Sequence, residues 1–469
     1  MNKIEAIQID PGMQIKVLSD AEVEKLHHAT QEVLAKTGVR FPSPKALKIF
    51  ADAGAHVDPK TQIVKIPPDL LMKALSRAPR SICLGSRGDQ SLDLILDGSR
   101  TYCGTTGTGT FTMDPDSGIK RPATKADTAI MARVADFLPS IGFYWAMVAP
   151  QDIPHALSPL HELEASFLNT EKHVMTASCV NKKVARAAVE MARAVAGSTE
   201  QMKSRPPLSP IISPISPLNN DGEALEAALI YAEAGLPVCF ATMPVMGSTG
   251  PASIAGTLVL GNAEVLSAVC LVQLACPGAP VTYPPYTGVM NPYTGDCVVS
   301  TRNQYPFYAA SVQLGHHYGL PVLSTFGGSD LRQTARWETA KEDAVDAFYI
   351  CATGPDMLPC MGMMETYTLL HMEKLILDDD IIQSVRSMTR GVPIDTGTLN
   401  VEEINTVGPG GHFLDSAYTL KNLRGLWNPG ICHQWQPEEG KFSDAVTAAR
   451  QKRQWILKNH VPAPLDTSS

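Results

Sequence analysis

Three stretches of the chain repeat one order of residues: a glycine, a proline two positions later, and then a short apolar run. The runs contain Val238, Val281 and Val322, which stand 43 and 41 residues apart. Glycine commonly ends a helix, proline prevents its continuation, and an uninterrupted apolar run is typical of a strand buried on both faces. A regular step of this kind indicates a repeated unit of strand, loop and helix.

Five further segments extend the series to eight predicted strands. They are residues 100–113, 141–148, 173–179, 208–215 and 357–363. Helices are expected between strands, for example at Ala263–Leu274 and Tyr305–Tyr318. Eight such units predict an α/β fold, specifically a (β/α)8 TIM barrel. The alternative, a doubly wound sheet, lacks support because no dinucleotide fingerprint stands at a strand-to-helix turn.

The segments before and after this series have a different pattern. Residues 1–95 are expected to form an N-terminal helical cap on the barrel, with one helix beginning at Ser19 and a second at residues 43–52. Residues 96–400 form the predicted barrel core. Residues 401–469 form a C-terminal helical extension, including a helix at Phe442–Lys458. No low-complexity linker divides the chain, so the three parts are expected to form one structural unit.

Composition narrows the class of protein. Of 469 residues, 44% are hydrophobic and 18% are charged, which allows a large core. The net charge of −8 argues against nucleic acid or an anionic membrane as the partner, since either favours a basic surface. Neither a secretion signal nor a membrane-length apolar run is recognisable, so a cytoplasmic protein is expected. The ten cysteines form no CxxC pair and no zinc-type spacing, so we expect buried thiols and no metal site.

Aromatic residues crowd the positions where the predicted strands end. Active sites of (β/α)8 barrels lie at this end of the strands. Aromatic faces attract cations, and quaternary ammonium groups are frequent ligands of such rings. Packing in an ordinary core is the structural alternative for each ring. The candidate substrate-binding rings are Tyr144, Trp145, Tyr283, Tyr286, Phe326, Trp337 and Tyr367.

Polar residues near the same ends supply further candidates. Arg332 or Arg336 could hold a ligand carboxylate through two parallel hydrogen bonds, although a solvated surface arginine is the alternative. Glu365 and His371 are candidate catalytic groups, with a structural helix cap as the alternative for Glu365. The glycine-rich stretches at Gly104 and Gly408 lack the Gly-Lys-Ser/Thr ending of a phosphate loop, so tight backbone packing is expected at both.

An ordered set of motifs along nearly the whole chain resembles the trimethylamine methyltransferase family. The motifs are Glu171-Lys-His-Val, Tyr293-Thr-Gly, Gly327-Gly-Ser-Asp, Glu373-Lys-Leu-Ile-Leu-Asp-Asp-Asp, Val407-Gly-Pro-Gly-Gly-His-Phe-Leu, Tyr418-Thr, Leu426-Trp-Asn-Pro and His460-Val-Pro-Ala-Pro-Leu-Asp. The resemblance implies a (β/α)8 barrel. Since only standard residues are present, the chain is similar to the branch that lacks pyrrolysine. That branch acts on quaternary amines such as glycine betaine, proline betaine or carnitine. The segment from Ser329 to Trp337 departs from the family pattern, with Trp337 near a usual glutamine.

The resemblance also implies a reaction and a partner. A methyl group would pass from glycine betaine, or another betaine, to Co(I) of a corrinoid (cobalamin) that a separate protein carries, releasing the tertiary amine. No cofactor would be bound tightly by this chain, and no zinc is predicted. The aromatic set would hold the ammonium, Arg332 or Arg336 the carboxylate, and Glu365 and His371 further polar contacts. The cognate corrinoid protein would dock at the barrel mouth, and the outer helices could support a homo-oligomer.

Two other functions are compatible with the same residues. A barrel hydrolase or lyase would use Glu365 as an acid or base, and its rate would follow one carboxylate titration without any need for a corrinoid. A non-catalytic module would bind betaine without transferring a methyl group. Both alternatives are separable from methyl transfer by assay.

Overall fold

The structure is a computed structural model that describes residues 4–115, 117–299, 301–325, 330, 337–426, 430–431, 435–436 and 440–465. The first 95 residues carry both helices and short strands. The helices are α1 (Asp20–Lys36), α2 (Pro44–Asp52) and α3 (Pro68–Leu75), with 3-10 turns at Pro11–Met13 and Gln90–Leu92. The strands are β1 (Val39–Arg40), β2 (His56–Asp58), β3 (Ile63–Lys65), β4 (Ile82–Leu84) and β5 (Leu94–Leu96).

Helix α1 begins directly after Ser19, as predicted, because the Ser19 backbone N–H donates to the Glu22 carboxylate at 2.8 Å. The prediction of a purely helical cap omitted the strands. They form an antiparallel sheet in the order β1-β3-β2 and a separate β4-β5 pair. At two or three residues each, these strands are too short for a clear sequence alternation.

From residue 96 onward, helices separate groups of one to three strands. The strands are β6 (Tyr102–Thr105), β7 (Phe111–Met113), β8 (Lys120–Pro122), β9 (Ile141–Trp145), β10 (His173–Thr176), β11 (Leu208–Ile212), β12 (Val238–Phe240), β13 (Val245–Met246), β14 (Val281–Thr282), β15 (Gly288–Met290), β16 (Cys297–Val298), β17 (Met357–Met361), β18 (Met363–Met364), β19 (Leu369–Leu370), β20 (Trp435–Gln436) and β21 (Lys441–Phe442). The helices are α4 (Lys125–Phe137), α5 (Ser158–Asn169), α6 (Lys182–Ala196), α7 (Thr199–Ser204), α8 (Gly222–Glu233), α9 (Ile254–Ala275), α10 (Gln304–His317), α11 (Trp337–Thr353), α12 (Met372–Thr389), α13 (Thr396–Leu399), α14 (Val401–Val407), α15 (Ala417–Leu426) and α16 (Ala445–Asn459).

Seven strands form one curled parallel sheet in the order β14-β12-β11-β10-β9-β6-β17. Each of the seven lies inside a segment that the sequence pattern predicted. The eighth predicted segment, around Val322, joins both edges of this sheet by isolated parallel bridges, from Val322 to Tyr283 and from Leu323 to Met357. Helices separate the strands along the chain, so the fold is α/β with helices outside the curled sheet.

Helix α9 is the most apolar helix that the structure describes. By length and composition it could cross a membrane, but 78% of its most apolar window is buried inside the molecule. It lies against α1, α3 and α10. Burial within the fold therefore accounts for its composition, as in the core helix of a large domain.

The last long helix, α16, holds the end of the described chain against the helix layer. It begins at Ala445, three residues later than predicted, because the Asp444 side chain accepts from the Thr447 N–H at 2.8 Å and caps it. It packs against α12 and α4. Beyond the helix, the His460 ring nitrogen Nε2 lies 2.7 Å from a carboxylate oxygen of Asp136 in α4.

Candidate functional site

The carboxyl ends of the parallel strands meet at one edge of the curled sheet, and the candidate site is built there. At the end of β9, two neighbouring aromatic residues point in opposite directions because successive side chains alternate along a strand. The Tyr144 hydroxyl donates to the Thr128 carbonyl of α4 at 3.2 Å. This contact directs Tyr144 into the helix layer and away from the expected cage. By the same alternation, Trp145 points to the opposite face of the sheet.

The Trp145 indole packs against the loop that follows β6. A β-carbon added to Gly107 would lie 2.7 Å from the indole Nε1, so the ring and the loop backbone are in close contact. Within the described part of the chain, the indole N–H has no hydrogen-bond partner, although it is buried. The hydroxyls of Thr106 and Thr108 in the same loop are also buried without a partner there. Buried polar groups are rarely left unpaired, so this cluster is suited to a polar ligand.

The glycines of this loop serve tight packing, as the sequence predicted. A β-carbon at Gly104 would overlap the ring of Phe143, and one at Gly109 would overlap the Leu370 side chain. In the second stretch the prediction is confirmed at Gly411, where a β-carbon would lie 2.6 Å from the Val407 carbonyl oxygen, but it is wrong for Gly408 and Gly410, where a β-carbon would meet nothing within 4 Å. These two residues have φ angles of +65° and +83°, so glycine is favoured there by backbone conformation.

The two candidate tyrosines near β14 also have different surroundings. The Tyr283 hydroxyl donates to the Asn262 side-chain oxygen at 2.8 Å, which directs the ring to α9 and away from the expected cage. Tyr286 is buried at the carboxyl edge, where its backbone N–H donates to the Thr242 carbonyl at 2.8 Å. Thr282, between Tyr283 and the preceding valine, has a buried hydroxyl that lies beside the Cys239 thiol of β12.

A turn of unusual conformation follows β18. Glu365, Thr366 and Tyr367 have φ angles of +46°, +47° and +68°, a left-handed conformation that residues other than glycine rarely adopt. The Glu365 carboxylate forms an ion pair with the Lys120 ammonium, which also lies 4.4 Å from the centroid of the Phe111 ring. Tyr367 is half-buried against the hydrophobic core. Strained backbone of this kind is often found at ligand-binding sites.

Asp330 links this turn to the segment after β16. Its carboxylate accepts from the Thr366 hydroxyl at 2.5 Å and from the Val299 N–H at 3.2 Å. The aspartate of the Gly-Gly-Ser-Asp motif therefore lies beside Glu365 and Tyr367 at the same edge of the sheet.

His371, predicted as a catalytic candidate, has a structural contact. Its ring nitrogen Nε2 lies 2.9 Å from a Glu373 carboxylate oxygen, and the Arg453 guanidinium of α16 lies 3.1 Å from the other oxygen. Burial opposes ionisation of Glu373, but the hydrogen bond from His371 and the charge of Arg453 outweigh it and lower the pKa of the carboxyl. His371 thus belongs to the contact between α12 and α16.

Two buried glutamates at the carboxyl edge were missed by the sequence analysis. Glu162 of α5 lies 2.6 Å from the Ser178 hydroxyl, and burial raises its pKa to about 8. Glu264 of α9 accepts from the hydroxyls of Thr242 and Ser216, and burial raises its pKa as well. Glu264 is the one charged residue in the 22-residue helix α9, which is the sequence signal that could have identified it.

Three candidates, Phe326, Arg332 and Arg336, lie outside the described residues. Trp337 begins α11, and its side chain also lies outside the description. In the described ranges, no group of three or more His, Cys, Asp or Glu side chains is arranged to hold a metal ion. The candidate site therefore consists of Trp145, Tyr286 and Tyr367 with the polar groups around them.

Comparisons with known proteins agree over almost the full chain. A family model described as trimethylamine methyltransferase (MTTB) matches residues 4–469. A trimethylamine methyltransferase of Desulfitobacterium hafniense is 31% identical over 97% of this chain and 92% of its own length. A glycine betaine methyltransferase of the same species is 30% identical over 96% of this chain and 94% of its own length. The solved monomethylamine methyltransferase of Methanosarcina barkeri shares the fold, with a TM-score of 0.52, 13% identity and coverage of 96% of this chain and 90% of its own.

Proposed function

Since the chain belongs to the trimethylamine methyltransferase family, we propose that it demethylates a small quaternary amine, with glycine betaine as the first candidate. The methyl acceptor would be a corrinoid carried by a separate protein, whose reduced cobalt supplies the nucleophile. Dimethylglycine would be the product from glycine betaine. Proline betaine and carnitine are the alternative methyl donors.

The observation that carries the choice of a betaine is the set of buried donors around Trp145. The indole N–H and the hydroxyls of Thr106 and Thr108 have no partner among the described residues. A betaine carboxylate can accept several hydrogen bonds, whereas trimethylamine has at most one acceptor, its nitrogen. A substrate with both an ammonium and a carboxylate therefore fits this cluster better than a simple methylamine.

We assign the ammonium to the aromatic residues that remain at the carboxyl edge. Trp145, Tyr286 and Tyr367 would surround it, together with Phe326 and Trp337 as predicted from the sequence. Tyr144 and Tyr283 are left out because both hydroxyls bond to outer helices. Arg332 or Arg336 would add a charge-assisted contact to the carboxylate. Each cation–aromatic contact contributes about 0.5–2 kcal/mol.

This reaction needs little acid–base chemistry. A quaternary ammonium has no lone pair, and it leaves as a neutral amine without taking up a proton. The tasks of this chain are then to bind the cation, exclude water and aim one methyl group at the opening. Positioning alone can supply up to about 7–11 kcal/mol of the barrier. Glu365 and Lys120 would hold the left-handed turn beside the substrate, and no proton transfer is required of them.

The rim of the sheet offers a surface for the partner protein. Ile215, Met243 and Tyr293 follow three neighbouring strands, and their side chains are exposed, at 95% for Tyr293. Exposed apolar groups at a site opening are typical of protein contacts. We also propose that Val322 and Leu323 act as the eighth strand and complete a (β/α)8 barrel, which would leave this opening as the access route.

A methyl-transfer assay tests the proposal. The protein is mixed with its corrinoid protein in the Co(I) state, and the cobalt absorbance is followed after glycine betaine, proline betaine, carnitine or trimethylamine is added. Formation of methyl-Co(III) with a betaine but not with trimethylamine is the expected result. Transfer from trimethylamine alone would contradict the substrate assignment. Betaine binding by calorimetry without any transfer would favour the non-catalytic module.

A further inference from the structure

The segment 391–426, called the arm below, exposes an unusual amount of apolar surface. It contains α13, α14 and α15, and none of these helices has a buried residue. The exposed large hydrophobic side chains are Val392, Ile394, Leu399, Val401, Ile404, Phe413, Leu414, Tyr418, Leu420, Leu423 and Leu426. Their exposure ranges from 39% to 82%. Scattered surface leucines are ordinary, but a continuous segment of this composition marks an interaction surface.

The spacing of these residues suits packing between helices. Val401 and Ile404 stand three positions apart in α14, and Leu420 and Leu423 stand three positions apart in α15. Residues with this separation share one face of a helix. Both helices therefore present an apolar stripe that the rest of the described chain does not cover.

The size of the surface matches one side of a stable protein interface. Each large apolar side chain carries on the order of 100 Å² of surface, so the arm offers on the order of 600 Å². A standard interface buries about 800 Å² on each partner, and a little more than half of it is apolar. Permanent interfaces are the apolar ones, whereas transient encounters tend to be smaller and more polar. The occupant should accordingly be a permanent partner.

The charges of the arm identify that partner. Helix α14 is acidic, with Glu402 and Glu403, and helix α15 is basic, with Lys421 and Arg424, while Asp395 and Asp415 lie outside these two helices. A surface with one acidic and one basic half is complementary to itself when two copies meet across a two-fold axis. Such an axis sets α14 of one copy against α15 of the other, so that apolar stripes meet and opposite charges flank them.

We propose that the arm is a homo-oligomer interface, in which two copies of this chain pack their arms antiparallel. The surface lies in a different part of the chain from the residues at the carboxyl edge of the sheet.

Light scattering coupled to size exclusion, with sedimentation at several protein concentrations, tests the interface on the full chain. The wild-type protein is expected to have twice the mass of one chain, or an even multiple. Leu420→Glu with Leu423→Glu should weaken dimerisation at least about 100-fold, since four apolar side chains per dimer lose their contacts. Leu157→Glu with Leu168→Glu is the matched control, because these leucines are exposed elsewhere on the surface. Circular dichroism should be the same for all variants.

A charge exchange gives a second test that does not depend on apolar packing. Glu402→Lys with Glu403→Lys, and separately Lys421→Glu with Arg424→Glu, should each weaken the dimer. The variant with all four changes should restore it to within a few-fold of the wild type. A wild-type protein that is monomeric at micromolar concentration would overturn the proposal. So would a dimer that survives Leu420→Glu with Leu423→Glu, or a monomer whose arm binds only the corrinoid protein.

Discussion

Both carboxylate oxygens of Glu162 lie 2.6 Å from the hydroxyl of Ser178, in a position fully shielded from solvent. The Thr176 hydroxyl adds a third contact at 3.2 Å. Burial outweighs these hydrogen bonds and raises the pKa of Glu162 to about 8. The folded protein therefore favours the protonated form of Glu162 at neutral pH.

This relationship predicts a pH dependence of stability. In an unfolded chain the Glu162 pKa returns to about 4.5, so between pH 4.5 and 8 the folded state holds a proton that the unfolded state releases. The contribution of protonated Glu162 to the free energy of unfolding is fully present below pH 4.5. This contribution falls as the pH rises to 8, by roughly 1 kcal/mol per pH unit. Glu162→Gln should remove this contribution, so the dependence of stability on pH should be weaker in the variant by the same amount. The measurement is the thermal midpoint of both proteins at steps across this window.

Glu190→Gln provides the control for that experiment, because Glu190 is an exposed glutamate on the outer helix α6. Its thermal midpoint should follow that of the wild type at every pH. Equal slopes for the wild type and Glu162→Gln would mean that the buried carboxyl is ionised in the folded protein.

Trp145→Ala should lower kcat/KM for the methyl donor by about 2- to 30-fold, the size of one cation–aromatic contact. Loss of the indole N–H removes a donor as well, so the effect should be larger for glycine betaine than for a quaternary amine without a carboxylate. Trp455→Ala is the matched control, since Trp455 is exposed on α16. Equal values of kcat/KM for the two variants would mean that Trp145 does not contact the substrate.

Glu365→Gln separates methyl transfer from hydrolase or lyase chemistry. In the proposed reaction no proton moves, so the variant should lose the ion pair with Lys120 and bind substrate more weakly, but its pH–rate profile should keep the wild-type shape. A profile that loses one limb in the variant would identify Glu365 as an acid or base. The rate is followed from pH 5 to 9 at saturating and limiting substrate.

Gly104→Ala should destabilise the protein by about 1–3 kcal/mol or more, because the added methyl group overlaps the Phe143 ring. Gly261→Ala is the control, since a β-carbon there would meet its neighbours only at ordinary contact distances of 3.5–3.9 Å. Urea unfolding of both variants measures the difference. A Gly104→Ala protein as stable as the wild type would mean that Phe143 moves aside at little cost.

The positions of the strands could be predicted, but the directions of their side chains could not. Val238, Val281 and Val322 were found because glycine and proline mark where each helix stops. Tyr144 and Trp145 are adjacent in a strand whose residues are all buried, so no alternation of polar and apolar residues distinguishes the two faces. Only the contact between Tyr144 and Thr128 decides which ring enters the helix layer.

Residues whose role depends on distant parts of the chain were the hardest to interpret. His371 has a position typical of a catalytic group, directly after a strand, yet its partner Glu373 is also held by Arg453, some eighty residues away. Glu162 is one of two glutamates in an amphipathic helix and gives no local signal. Glu264 differs, because a lone charge in an apolar helix must find a partner or remain neutral.

The pairing of β17 with β6 has a consequence for folding kinetics. Every other pair in the curled sheet joins strands that follow one another among its seven members, whereas Met357 pairs with Tyr102. The loop that this contact closes contains more than half of the chain, so its entropic cost is met only after the intervening units have formed. The β6–β17 ladder is therefore expected to form late in refolding. Glu365 and Tyr367, which follow β17 closely, would take their places at the carboxyl edge only at that last stage.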